Sequence, residues 1–188
     1  MQRRQRHFPS PREKPWAWAM IAFVLFMLIA TAAGWEFPKQ DIIIWNETAS
    51  LPRGFYLRIP ARQIERGDIV VYQPPDAVRA ISDARGYASR PNALFLKRVG
   101  AVAGDTYRIS ANGDHALFAI NGAYKGQVQD VDSKGRPLPQ LARDVDHVVP
   151  DGAFLPLAES PRSFDGRYTG PVPLANIKEV VVPLLAIW

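Results

Sequence analysis

The sequence predicts a mostly β, antiparallel body carried behind one N-terminal apolar helix. Three observations predict it. Trp16–Gly34 (WAWAMIAFVLFMLIATAAG) runs 19 residues without a charge. Beyond it, short apolar and β-branched runs alternate with Gly, Pro and Asn, the pattern of strands and turns. Within that part, Asn121-Gly122 separates two apolar runs, the strongest short-range hairpin signal.

The N-terminal elements come first. The chain of 188 residues carries a net charge of +5, and most of it sits at the start. Arg3, Arg4, Arg6, Arg12 and Lys14 stand against Glu13 alone, which leaves the rest nearly neutral. A neutral body argues against a nucleic-acid footprint. At ~1.5 Å per residue, the uncharged stretch would span about 28 Å, close to a bilayer's hydrocarbon core. Trp16, Trp18 and Trp35 fall at its ends, where aromatic belts form. The basic head and Glu36 predict a cytoplasmic N-terminus. A buried core helix fits the basic flank poorly. A cleavable signal peptide is the stronger rival, because Ala30-Thr31-Ala32 resembles an A-x-A cleavage site. Its apolar region is long for that role, and either reading exports the remainder. The expected organisation is a basic cytoplasmic head at 1–15, a transmembrane anchor at 16–34 and a periplasmic domain at 35–188.

The strands follow in order. Asp41–Trp45, Gly54–Ile59 and Asp68–Tyr72 read as the first three. Residues 73–92 read as a loop with a short helix near Ala77–Ala84. Ala93–Val102 is the longest apolar run outside the anchor, and Thr106–Ser110 and Ala116–Tyr124 come next. The polar stretch 126–147 reads as an extended or exposed excursion. Ala153–Ala158 and Val180–Ile187 read as the final strands, and no internal repeat is visible.

Composition also limits the chemistry. No cysteine is present, which excludes thiol nucleophiles and thiolate metal sites. His7, His115 and His147 are scattered, and no spacing suggests zinc. No cofactor or metal is expected. A Ser–His–Asp triad is arithmetically open through His115 or His147, but neither sits in a recognisable motif.

Three segments hold reactive groups. Lys97 lies in the run LFLKRV and shares a strand face with Phe95 and Val99. Burial disfavours its charged form, and a neutral amine can take a proton from a hydroxyl. Its bland alternative is a lysine that snorkels from a strand edge or pairs with an acid. Ser50 sits between a strand and the turn Pro52-Arg53-Gly54. There Pro fixes the backbone, Gly permits a tight bend, and a nucleophile is exposed but rigidly held. Thr48 places a second hydroxyl near the Ser50 N–H, two donors that suit an oxyanion hole. Taken alone, Ser50 is an ordinary turn serine. In Ser163–Pro173 (SFDGRYTGPVP), Asp165 and Arg167 are close enough to pair, and Ser163 offers a hydroxyl to orient an amine. The alternative there is a surface turn rich in Gly and Pro.

Taken together and in this order, these segments resemble the signal peptidase I superfamily of Ser–Lys peptidases, and within it the conjugative-transfer, TraF-type signal peptidases. The resemblance covers nearly all of residues 16–183. TASLPRGFY resembles that branch's nucleophile box, where Pro follows two residues after the serine; housekeeping signal peptidases have one residue more. ERGDIVVYQPP resembles the strand after the substrate-binding region, and FAINGAY the family's hairpin. RGYASRPNALFLKRVGAVAGD resembles the lysine box, with Lys97 on the catalytic lysine. SFDGRYTGPVP resembles the terminal box, with Ser163 on the lysine-orienting serine and Asp165 and Arg167 on the structural ion pair. Ala103, Gly166 and Thr169 depart from the usual Pro, Ser or Asn, and aromatic residues. None of the three supplies a reacting group.

The resemblance implies a signal-peptidase-like β body and acyl transfer by Ser50 with Lys97 as general base. Ser50 N–H and Thr48 would form the oxyanion hole. It also implies preprotein or pro-pilin substrates with small residues at −1 and −3, which pair as an added strand. Leu51 and the strand before Ser50 are expected to help line the specificity pockets. Inner-membrane lipid and conjugation or type IV secretion proteins are the further expected partners, and nucleic acid is not. The product is either hydrolysed or cyclised. The rival functions are a housekeeping signal peptidase for general secretory preproteins and a non-enzymatic anchored assembly module.

Overall fold

The computed structural model describes residues 15–32, 42–60, 62–113 and 115–187. The chain divides into two units, Met1–Asp41 and Ile42–Trp188. In the first, α1 covers Pro15–Ala32, 18 residues with mostly exposed apolar side chains. The expected basic head, Trp35 and Glu36 lie outside the described residues. The expected transmembrane helix over 16–34 is not reproduced: among the described residues no helix is long and apolar enough to cross a membrane.

The second unit is the expected antiparallel β body. Its strands are β1 (Ile43–Asn46), β2 (Arg53–Ile59), β3 (Ile69–Tyr72), β4 (Phe95–Val102), β5 (Thr106–Asn112), β6 (His115–Ile120), β7 (Ala123–Val128), β8 (Asp146–Val148), β9 (Ala153–Leu157), β10 (Val172–Pro173) and β11 (Ile177–Ile187). Helix α2 (Asp76–Arg85) joins β3 to β4, one turn of helix α3 (Gly166–Thr169) precedes β10, and a 3₁₀ turn covers Leu174–Asn176. Seven strands form one sheet in the order β1-β2-β11-β3-β4-β9-β10, and four form the second as β7-β6-β5-β8.

Local sequence explains the turns. Asn121 and Gly122 both take positive φ, 49° and 77°, as a two-residue hairpin between β6 and β7 requires. Helix α2 ends at Gly86, whose left-handed φ of 67° lets its N–H cap the last carbonyls. Strand β3 is buried throughout, because it lies inside the seven-stranded sheet.

Long β11 crosses between β2 and β3 and ties the hairpin that carries Ser50 to the sheet centre. Beside it, Gly54 has a φ of 144°, and a Cβ there would lie 2.0 Å from the Leu185 carbonyl. Only glycine allows β2 and β11 this approach. Three apolar clusters fill the unit, around Tyr107, Phe118 and Leu155; around Val70, Tyr72 and Phe154; and around Leu51, Tyr56 and Val181.

Candidate active site

The turn from β1 to β2 holds Ser50, and Asn46 organises it. Asn46 is 5% exposed. Its Nδ2 donates to the carbonyls of Thr48, Leu51 and Pro52 at 3.0–3.2 Å. Its Oδ1 accepts the Thr48 N–H at 3.2 Å and the Thr48 hydroxyl at 2.9 Å. Three acceptors on one side and two donors on the other fix the amide orientation. Thr48 Oγ1 in turn lies 3.4 Å from Ser50 Oγ. A hydroxyl has one proton, and that of Thr48 goes to Asn46, so Ser50 is the donor in this contact. Tyr56 closes the turn by donating to the Pro52 carbonyl at 2.7 Å. The Ser50 carbonyl accepts from Glu159 N and Ser160 N at 3.2 and 3.4 Å.

Leu51 corrects an expectation. It is fully buried, packed with Tyr56, Ile69, Val71 and Val181, and does not line the site. The side chain next to Ser50 plugs the turn into the core and holds it there.

Strand β4 carries Lys97. Its buried positions alternate through Lys97, Val99 and Ala101, so the ammonium faces inward, as the period-two pattern required. Lys97 is 4% exposed and lies opposite Val70 of β3. Burial pushes its pKa down to about 8; Asp165 opposes that shift and Arg167 adds to it. Lys97 Nζ donates to Ser163 Oγ at 2.6 Å and lies 5.8 Å from the Phe95 ring centre.

Asp165 and Arg167 form a buried ion pair, with Arg167 Nε and Nη2 at 2.9 and 2.7 Å from the carboxylate. The carboxylate also accepts from Ala158 N at 2.9 Å, and Arg167 Nη2 donates to the Ser160 carbonyl at 2.8 Å. The pair thus clamps residues 158–160, the segment whose N–H groups hold the Ser50 carbonyl. Gly166 between them is required by space: a Cβ there would lie 2.6 Å from the Pro156 carbonyl.

Ser50, Thr48, Lys97 and Ser163 line one cavity of about 650 Å³. The four hydroxyl- and amine-bearing residues are therefore brought together, while Asp165 and Arg167 support them from outside it. No hydrogen bond joins Ser50 to Lys97 among the described residues; both line the cavity. His147 takes no part: its ring stacks on Tyr107 at 4.9 Å and donates to the Ala142 carbonyl. The excursion at 126–147 is largely exposed, as expected, and within it Gln129, Val131, Asp132 and Leu138 line the same cavity as Tyr87. Sequence reading missed Asn46, although an Asn side chain that bonds the backbone two residues on is a known turn device. It also missed Tyr87 and Asp132, whose pairing spans 45 residues and leaves no local trace.

The sequence profile of the family described as signal peptidase, peptidase S26, matches residues 15–185. A plasmid transfer protein TraF of Escherichia coli is 33% identical over 149 residues, covering 74% of this chain and 81% of that protein. A second plasmid transfer protein TraF of Escherichia coli is 29% identical over 150 residues, covering 74% and 80%.

Proposed function

The chain belongs to the signal peptidase S26 family of serine peptidases, and from that premise we propose that it cleaves exported precursors by acyl transfer from a Ser50–Lys97 pair. Peptidases of this family act on preproteins. One observation carries the assignment: Lys97 is buried against Ser163 with a lowered pKa, on the wall of the cavity that Ser50 also lines.

In this mechanism a substrate carbonyl enters between the two side chains. Neutral Lys97 Nζ takes the Ser50 proton as Oγ attacks the carbonyl carbon. Ser163 holds the amine in place. The Ser50 N–H and the Thr48 hydroxyl, turned from Asn46, meet the oxyanion. Lys97 then gives its proton to the leaving amine, and the C–N bond breaks. Water, or a substrate amine, attacks the acyl-enzyme with Lys97 again as base. Substrate side chains at −1 and −3 are small.

The TraF proteins among its relatives support a role in conjugative transfer, with a pilin precursor as substrate. Membrane attachment through 16–34, with the basic head cytoplasmic and 35–188 periplasmic, rests on the sequence of that segment and on the exposed apolar surface of α1. An exposed strip on β1, β2 and β11, including Trp45, Phe55 and Leu185, suits the same lipid surface. The test is cleavage of a pro-pilin or Ala-x-Ala precursor by full-length protein in detergent or liposomes. Wild type should cleave, and Ser50→Ala and Lys97→Ala should not; variants that still cleave normally overturn the assignment.

A further inference from the structure

Residues of 129–138, which line the same cavity as Ser50, belong to a small ribbon with a defined clasp. Val131 and Pro137 form an antiparallel bridge, and Leu138 N donates to the Asp130 carbonyl at 2.9 Å. One end is tied down where Gln129 N donates to the Tyr168 hydroxyl at 3.0 Å. At the tip, Asp132 accepts from the Tyr87 hydroxyl at 2.7 Å, from Lys134 N and Arg136 N at 2.9 Å each, and from Arg136 Nε at 2.7 Å. Arg136 also reaches the Arg85 carbonyl at 3.2 Å and lies over the Tyr87 ring at 5.6 Å. Arg85 answers by donating to the Pro137 carbonyl at 2.7 Å.

This clasp consumes its own charge. A carboxylate offers about four acceptor sites, and those of Asp132 are taken by four donors. The wall therefore presents no free anion to the cavity. It presents apolar surface instead: Val131 on the ribbon and Leu94 before β4 line the cavity and are each 48% exposed. Exposed apolar side chains in the cavity that Ser50 also lines suit an apolar side chain of an extended polypeptide.

We propose that the 129–138 ribbon is a specificity wall of the substrate cavity, with Val131 touching the substrate chain and Tyr87 and Asp132 as positioning residues that hold the wall in place. The occupant is the precursor polypeptide, and this inference rests on the Ser50–Lys97 reading above.

The experiment uses full-length protein in detergent. Internally quenched peptides carry Ala at −1 and −3, and each of three positions on either side of the bond is varied singly to Val, Leu or Asp. Val131→Ser alters an exposed side chain and leaves the melting temperature at the wild-type value. It raises KM by about fivefold with kcat within about twofold, as loss of uniform binding does. It also flattens the side-chain preference at one position. Tyr87→Phe, which removes only the clasp's hydroxyl, moves KM the same way by about threefold. A purely structural ribbon would change melting temperature or kcat without shifting preference. Wild-type KM and preferences in both variants overturn this inference alone. Peptides left intact by wild type, or cleaved at the wild-type rate by Ser50→Ala, overturn the peptidase reading and the inference with it.

Discussion

At the scale of single residues, the proposed role of Lys97 would couple activity to stability. Its pKa is about 8 in the folded chain against an ordinary 10.5. Below pH 8 both states carry the proton, and the native state bears the cost of a buried ammonium. Between 8 and 10.5 the unfolded chain holds more protons, so stability rises with pH across that window. Lys97→Met should therefore be inactive yet more stable than wild type at pH 6, by about 1–3 kcal/mol in urea unfolding, with the gap closing by pH 11. The wild-type kcat/KM should rise along an acid limb centred near pH 8. Asn46 acts through its neighbours. Asn46→Ala removes the donor to three carbonyls and frees Thr48, so kcat should fall by about tenfold with little change in KM, and stability by about 2 kcal/mol. Steady-state kinetics and a melting curve check both. Lys97 and Ser50 were legible as residue types in apolar and turn contexts. Asn46 was not singled out, because its five bonds become visible only when the turn is closed.

At the scale of elements, most strands read correctly from the sequence, since alternation and turn residues are local properties. The bounds shifted by a few residues at their ends. Three elements escaped notice. Strands β8 and β10 have three and two residues, too short to show a period, and exist because β5 and β9 offer them partners. Helix α3 has four residues inside an apparent Gly/Pro turn, and stands because the Asp165 side chain caps Arg167 N. The contact of β2 with β11 yields a sharper test. Gly54→Ala forces a Cβ onto the Leu185 carbonyl at an unfavourable φ and should destabilise the unit by about 3 kcal/mol. A lowered urea midpoint with an unchanged slope would show it; wild-type stability would contradict the close approach.

At the scale of the whole molecule, the site is assembled from distant pieces. Ser50 comes from the β1–β2 turn, Lys97 from the sheet interior and Ser163 from the loop before α3, 66 residues beyond the lysine. The proposed lipid attachment is tested at this scale too. Full-length protein is expected to stay with the membrane pellet after alkaline carbonate washing; release into the supernatant would count against an inserted anchor. Cleavage should also be unchanged by EDTA, as a lysine base requires, and a loss restored by added zinc would contradict it.

The sequence by itself determined the mostly β class, the apolar N-terminal segment, the candidate reactive side chains and, through three ordered boxes, the peptidase family. Those follow from spacing and alternation, which are written residue by residue. Only the tertiary structure decided that Lys97 is desolvated, that Leu51 is a core plug, that Asn46 holds the Thr48 proton and that the 129–138 ribbon walls the cavity. Burial and hydrogen bonding depend on which distant strands meet, and that is a property of the folded sheets, not of any one segment.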